Sequence, residues 1–557
     1  MRRYIKFLRR HIREFLSLII VPPHPNPLPI GERGLNLSPV PNSFPGGERG
    51  LNLYFSPSPL RGEGWGEGKF QICLVSLCML FMLAAGCKIG PDYRRPAADV
   101  PDSWRFEEKE AQDLINTAWW EQFSDPVLNE LIAIALKENK DLKIATARVE
   151  EYLGYYGETR SVLFPQLGAS ASAARERVTE EGRTSLPDGV NPIDRDYEGL
   201  ITAAWELDIW GKLRRATEAA RADLLSSEEA RSGVILTLVG SVANTYIDLR
   251  RLDRELEIAL RTAKTREETY QLFKMRFDGG VISELELSQV ASEYEDAMAA
   301  IPQIEKDIGQ VENALSVLLG GNPAPIRRGK PIDELVPPAI PAGLPSELLE
   351  RRPDIRQAEE DLIAANARIG VARGLYFPTI SLTGFNGTAS AEFDELFSGP
   401  ASVWNYGGQM TVPIFTAGGI AGIVKASEAV QQQALARYQQ AIENGFREVD
   451  DSLIDQQKSR ERLAAQSRQV AALRTYSGTA RLRFDEGYTS YIEVLDAERS
   501  LFNVERSYTQ TQAALLQSLV NLYKAMGGGW VTEADRMTVN SAETAPSSEA
   551  EQSRSSQ

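Results

Sequence analysis

The sequence predicts an internally duplicated membrane protein of mixed α and β class, in which four strands per chain enter a β-barrel shared between subunits and very long helices pair as coiled-coil hairpins. Three observations predict it. An apolar stretch over 69–86 ends on small residues before Cys87, as an export signal does. Two halves of the chain repeat the same anchors in the same order. In each half a Pro-free helical run, far longer than a globular domain needs, follows a pair of short alternating strands.

The N-terminal part comes first. The segment KFQICLVSLCMLFMLAAGC over 69–87 starts on a positive charge and is too short and wrongly flanked for a membrane span. Its end, Leu83-Ala84-Ala85-Gly86-Cys87, resembles a bacterial lipobox, with the Leu one place further out than usual. That resemblance implies cleavage before Cys87 and a diacylglycerol on its thiol. Lys88 follows, where an Asp would favour inner-membrane retention. Residues 21–68 are rich in Pro and Gly and contain GERGLNL twice, at 31–37 and 47–53, a composition that cannot build a core. Residues 1–20 form a basic amphipathic run compatible with a membrane-surface helix. An upstream mis-called start codon accounts for both stretches equally well, with translation beginning near Lys69.

Composition then excludes whole classes of function. With residues 1–86 and their ten basic and five acidic side chains set aside, 51 basic and 72 acidic residues remain, a balance that argues against nucleic acid as partner. Both histidines, His11 and His24, and two of the three cysteines, Cys73 and Cys78, precede Cys87. His-dependent acid–base chemistry, Ser-His-Asp triads and His/Cys metal sites are therefore closed to the mature chain. Gly-rich phosphate loops are missing, and no cofactor, metal or catalytic residue is expected.

The duplication is gapless where it is sharpest. The stretch from Asp141-Leu142 to Phe164-Pro165 aligns with Asp354-Ile355 to Phe377-Pro378 at an offset of 213. Arg276-Phe277-Asp278 matches Arg483-Phe484-Asp485, and Gly320-Gly321 matches Gly527-Gly528, both at an offset of 207. Each half reads as short helix, two strands, long helix, tight turn and medium helix. The first helix, 141–164, stops before Pro165. Residues 211–276 carry Ile235, Val239, Val242, Tyr246 and Leu249 in alternating steps of four and three, the coiled-coil seam. Asp278-Gly279-Gly280 ends that helix, Ser283 and Glu286 form a capping box for the next, and Pro302 is expected to kink it. Shorter helices of about 24 and about 36 residues nearly sum to the long one of about 66, so stacked end to end they make a hairpin of about 90–100 Å.

The strands decide between scaffold and membrane. Residues 199–210 put Ile201, Ala203, Trp205, Leu207 and Ile209 opposite Thr202, Ala204, Glu206 and Asp208. Residues 403–414 put Trp404, Tyr406, Met410, Val412 and Ile414 opposite Asn405, Gln409 and Thr411. A soluble sandwich shows the same period; export, the lipid anchor and the lack of a second strand layer favour a strand between lipid and water. Open edges are not tolerated in lipid and known barrels begin at about eight strands, so four strands per chain require an oligomer.

At this point a family resemblance covers about 87–530. Gly90-Pro91-Asp92-Tyr93-Arg94-Arg95-Pro96, Trp119-Trp120-Glu121-Gln122-Phe123, Leu348-Leu349-Glu350-Arg351-Arg352-Pro353-Asp354-Ile355 and Phe377-Pro378-Thr379-Ile380-Ser381-Leu382-Thr383-Gly384 resemble signature segments of the TolC-like outer membrane factors. More narrowly they resemble the NodT-type lipoproteins that serve resistance-nodulation-division efflux pumps. The resemblance implies a homotrimer with a twelve-stranded barrel in the outer membrane, a periplasmic α-helical coiled-coil barrel, and an equatorial belt from 88–135, 320–347 and the residues after Gly527. It implies a passive conduit and no enzyme, with a periplasmic adaptor docking at the tips 277–283 and 484–490, which include Gly279, Gly280, Ser283, Gly487 and Ser490. It also implies a periplasmic gate of acidic rings, which by position are Glu493 and Asp496; three copies of each would attract cations. An Arg that locks some members shut is Thr489 here.

The expected boundaries are a mis-called or disordered leader 1–68, a signal peptide 69–86, an N-terminal segment 87–140, a first repeat 141–321, a linker 322–353, a second repeat 354–528 and a largely disordered tail 529–557. Two rivals stay open at this point. One is the outer-membrane conduit of an ABC-type protein exporter, which shares the fold. The other is a lipid-anchored periplasmic adaptor, which has one hairpin where this chain has two.

Overall fold

The computed structural model describes residues 88–106, 118–179, 189, 191–340, 345–527 and 531. The expected leader 1–68, the signal 69–86, Cys87 and the end of the tail, 532–557, lie outside them. In chain order run α1 (Pro126–Glu138), α2 (Lys140–Ser161), β1 (Gln166–Arg177), β2 (Ile193–Leu207), α3 (Lys212–Asp278) and α4 (Glu284–Leu318). They are followed by α5 (Pro353–Gly374), β3 (Thr379–Ser390), β4 (Ser402–Thr411), α6 (Gly419–Asp485) and α7 (Tyr491–Ala525). The halves match to the residue: α2 and α5 have 22 residues, α3 and α6 have 67, and α4 and α7 have 35.

The long helices owe their stability to the seam. Ile235, Val239, Val242, Tyr246 and Leu249 are all 0% exposed, and a 67-residue helix spans about 100 Å at ~1.5 Å per residue. α3 packs against α2, α4, α5 and α7, while α6 packs against α5 and α7. α4 runs through Pro302 as one helix.

The shorter helices do meet end to end, and one residue makes each joint. The Asn139 side chain caps α2 by accepting from Leu142 N at 2.9 Å, and its Nδ2 donates to Leu318 O at the end of α4, also at 2.9 Å. Its counterpart at offset 213 is Arg352, which precedes α5 and donates through Nη1 to Ala525 O, the last residue of α7, at 2.8 Å. Gly320 and Gly527 follow the joints with φ of +77° and +72°. A Cβ on either would run into the Glu138 carbonyl or into Arg352, so glycine is required there.

The main core sits at the middle of the helices. Trp119, Trp120 and Phe123 pack with Ile235–Leu249 positions of α3, with Leu516, Val520 and Tyr523 of α7, and with Ile326, Ile332 and Leu335 of the linker. Trp119 stacks on Tyr523 with ring centroids 5.3 Å apart. Asp125, 0% exposed, ties the layer together by accepting from Val127 N at 2.9 Å, Tyr246 Oη at 2.7 Å and Lys330 N at 3.0 Å.

The four strands form one antiparallel sheet in the order β1-β2-β3-β4. The strand limits differ from the sequence reading. β2 starts at Ile193 and ends at Leu207, leaving Ile209 outside, because Asp208 turns to accept from Leu213 N and Arg214 N and so starts α3. β4 ends at Thr411, leaving Val412 and Ile414 outside. Among the described residues, β1 and β4 have no partner on their outer edges.

Candidate functional site

The turns that join the long helices to the medium ones have the same backbone. After α3, Gly280 N donates to Phe277 O at 2.8 Å and Val281 N to Arg276 O at 2.9 Å; after α6, Gly487 N donates to Phe484 O at 2.9 Å and Tyr488 N to Arg483 O at 2.8 Å. This is the Schellman pattern, which needs a left-handed residue. Gly280 and Gly487 supply it, with φ of +71° and +78°. Gly279 does not: its φ is −81°, and Glu486 takes the equivalent place at −84°. The tight turn therefore requires Gly280 and Gly487 but not Gly279.

The two caps differ. Ser283 and Glu286 form the expected box, with Ser283 N donating to Glu286 Oε2 at 2.8 Å and Glu286 N to Ser283 Oγ at 3.3 Å. The Ser283 backbone N–H holds the Glu286 carboxyl below its usual range. Ser490 and Glu493 repeat the Ser-x-x-Glu spacing on nearly the same backbone (φ −78° and ψ 156°, against −83° and 157°), yet Ser490 makes no side-chain cap bond. The Glu493 carboxylate is thus not committed to capping.

Glu493 and Asp496 are one turn apart on the exposed face of α7, opposite buried Tyr491, Val494 and Ala497. Asp496 has Arg499 at 3.6 Å as an exposed ion pair. At the first turn, Glu286 matches Glu493 but Gln289 stands where Asp496 would be. Only the second repeat carries the pair.

Sequence reasoning did not find what holds the two turns together. Phe273 of α3, Phe484 of α6 and Tyr491 of α7 form a triangle with ring centroids 4.4, 5.1 and 6.0 Å apart. The Arg276 guanidinium lies 5.8 Å from the Phe273 ring and 5.7 Å from that of Phe484. One signal was there to be seen: Tyr491 stands where the first repeat has Glu284, an apolar ring in place of a charge. Below the triangle, Arg266, 3% exposed, donates to Glu293 O at 2.6 Å and pairs with its carboxylate at 3.0 Å. Arg481 donates to Thr269 Oγ1 at 3.1 Å and lies 3.8 Å from Glu498. Burial raises the Glu498 carboxyl above its ordinary range despite these two cations. Cys87, the expected lipid carrier, lies outside the described residues.

The geometry can be compared with known proteins. The outer membrane efflux protein model matches residues 131–321 and 344–528, the two repeats in order. The probable efflux pump outer membrane protein TtgC of Pseudomonas putida is 36% identical over 465 residues, covering 82% of this chain and 96% of that protein. The probable outer membrane lipoprotein SilC of Salmonella typhimurium is 34% identical over 467 residues, covering 83% and 100%. The solved structure of the open state of the Neisseria gonorrhoeae MtrE outer membrane channel superposes with a TM-score of 0.73 at 31% identity, covering 80% of this chain and 99% of that one. The single-hairpin adaptor alternative falls away. Two matched repeats, each with its hairpin and strand pair, show that the chain belongs to the outer membrane efflux protein family, whose TolC-like members are outer-membrane channels.

Proposed function

We propose that three copies of this chain close into one passive conduit of a tripartite efflux system, which receives solutes from a periplasmic adaptor and an inner-membrane resistance-nodulation-division pump and catalyses no reaction. The observation that carries this reading is the pair of unfinished edges. In lipid the outer edges of β1 and β4 need partners, and β4 of one copy beside β1 of the next supplies them, giving twelve strands in three copies.

The helices are unfinished at the same edges. α5 lies between α3 and α6 and buries twelve of its residues, whereas its copy α2 buries only Leu142. Exposed Ile144, Leu153 and Tyr155 on α2 and Ile423 and Val430 on α6 are what a second copy would cover. The duplication names the contacts. Gly374 against Lys212 becomes Ser161 against Gly419, and Gly370 against Arg215 becomes Gly157 against Gly422. The Arg368–Asp223 ion pair becomes Tyr155 against Val430. Such an interface is heterologous and must close as a ring.

In this assembly Glu493 and Asp496 line the periplasmic constriction as the gate, and the turns at Gly279, Gly280 and Ser283 and at Gly487 and Ser490 meet the adaptor. Cys87 carries the lipid. Exposed aliphatic and aromatic side chains at both turns, Met275, Val281, Leu285, Tyr488 and Ile492, support the docking role. The test is single-channel conductance in planar bilayers: changing Glu493 and Asp496 together to Ala should raise resting conductance and weaken block by cations. Conductance and ion selectivity equal to wild type would remove both residues from the gate.

A further inference from the structure

The described chain begins as an extended strap, and its bonds outnumber what a tether needs. Arg215, in the first turn of α3, is buried with 1% of its side chain exposed. Its Nε donates to Ile89 O at 3.1 Å, its Nη2 to Gly90 O at 3.1 Å and Asp92 Oδ1 at 2.7 Å, and its Nη1 to Glu218 Oε2 at 3.0 Å. Lys88 pairs with the same Glu218 at 2.6 Å, and Ile89 N donates to Trp210 O at 3.1 Å.

From there the strap follows α5. Asn366 Nδ2 donates to Pro91 O at 2.9 Å, Tyr93 Oη to Glu359 Oε1 at 2.9 Å, and Arg95 forks onto both Glu359 oxygens at 2.7 and 2.6 Å. Gly90, with φ +102°, lies so close that a Cβ there would come within 2.5 Å of Gly370 Cα. The strap therefore bridges α3 of the first half and α5 of the second. The duplication gives it no second seat, because Gly422 stands where a second Arg215 would be.

We propose that Arg215 is a positioning residue that makes the N-terminal segment a fixed strut and not a leash. Three of its four acceptors belong to the strap, and a buried guanidinium keeps such partners because losing them strands its charge. Lys88 is thereby held beside the strand–helix junction. There Trp210 donates to Pro378 O at 2.8 Å and lies 5.1 Å from the Phe377 ring; Phe164 just before β1 and Phe415 just after β4 are exposed. Aromatic side chains of this kind mark a membrane interface. Cys87 directly precedes Lys88 in the sequence, so a diacylglycerol on its thiol would be tethered to this fixed end of the strap. The inference rests on Cys87 being the lipidated residue.

The experiment uses the full lipidated assembly in membrane vesicles, with limited trypsin cleavage of the Arg94–Arg95 bond followed by mass spectrometry of the N-terminal fragment. Heat-resistant trimer and conductance are recorded in parallel. Wild type should be protected. Arg215→Gln and Gly90→Val should each release the fragment about tenfold faster or more, with trimer yield and conductance unchanged. Gly90→Val alters no helix residue, so it decides the matter if Arg215→Gln fails to assemble. Release at the wild-type rate from both variants overturns the strut. A fragment released on schedule but without lipid mass overturns the anchor at Cys87 while leaving the Arg215 clamp in place, so the two failures are distinguishable.

Discussion

A cysteine pair at Ser161 and Gly419 tests the ring directly. Its template is within the chain: a Cβ built on Gly374 lies 3.0 Å from Lys212 Cβ and 3.6 Å from Lys212 Cα. Disulfides favour a Cβ separation of about 3.8 Å, so that contact is slightly tight but within reach of a small backbone adjustment. Offsets of 213 and 207 carry Gly374 to Ser161 and Lys212 to Gly419. Inside one chain these residues flank β1 and β4, the opposite edges of the sheet. Three strand spacings of ~4.8 Å put those edges about 14 Å apart, too far for an internal bond. The sequence has no Cys after Cys87, so the background in this region is clean. Oxidised Ser161→Cys/Gly419→Cys protein should run on non-reducing gels at three subunit masses and return to one on reduction. Lys212→Cys/Gly374→Cys should oxidise with no change of mass. Species confined to one subunit mass with unreacted thiols would refute the quasi-equivalent interface. A ladder continuing past three would refute closure while keeping the head-to-tail contact.

Three further outcomes are expected. Glu493→Gln keeps a side chain able to cap but removes the charge, so in bilayers it should match Glu493→Ala; a Gln variant that behaves like wild type would show that Glu493 acts only as a cap. Asn139→Ala removes both the α2 cap and the bond to Leu318 O and should cost about 1–2 kcal/mol, seen as faster amide hydrogen exchange at that joint and not at the turns. Glu498 is raised in the folded state by burial among Arg266, Arg481 and Glu293. The folded protein then binds its proton more tightly, and the stability so contributed is present below the ordinary glutamate range and lost as pH rises through the raised value. Thermal melts of the assembly should therefore show stability falling with pH in that window, and Glu498→Gln should flatten the dependence; an unchanged profile would remove Glu498 from it.

The duplication and the hairpin were legible because they rest on covalent order and helical period, which one chain displays in full. Ile235, Val239, Val242, Tyr246 and Leu249 fall in the seam that their spacing predicts. The Ser283 cap was legible for the same reason, since its partner Glu286 is three residues away. The joints were not. Asn139 bonds to Leu318, and Arg352 to Ala525, across more than 170 residues, and neither residue type announces a distant carbonyl. The Phe273–Phe484–Tyr491 triangle escaped likewise, because Phe273 and Phe484 look like ordinary seam residues on their own helices and only Tyr491, in place of Glu284, marks it. Strand ends shifted where a side chain intervened: Asp208 stops β2 by binding the first N–H groups of α3.

The way the copies diverge supports different duties for the two halves. Where the halves meet inside the chain, the contact is built from long charged side chains: Arg215 to the strap, Arg368 to Asp223, Arg356 to Glu229 at 2.6 Å. At the matching positions on the open edges stand Gly422 and Tyr155 with Val430, and Ala436 replaces the carboxylate opposite Lys143. An intramolecular contact forms at high effective concentration and can order long side chains at modest cost, whereas a contact between separate copies must first overcome lost translational freedom. Small and apolar residues suit the second case, since they lose little rotamer entropy and bury area without desolvating charge. The same divergence reaches the turns. Glu286 is spent on capping α4, and its copy Glu493 is left uncapped one turn from Asp496. A carboxylate already bonded to its own helix N-terminus cannot respond to what passes; one that is not bonded can. That difference supports the proposed gate in the second repeat, with the first as the frame beside it.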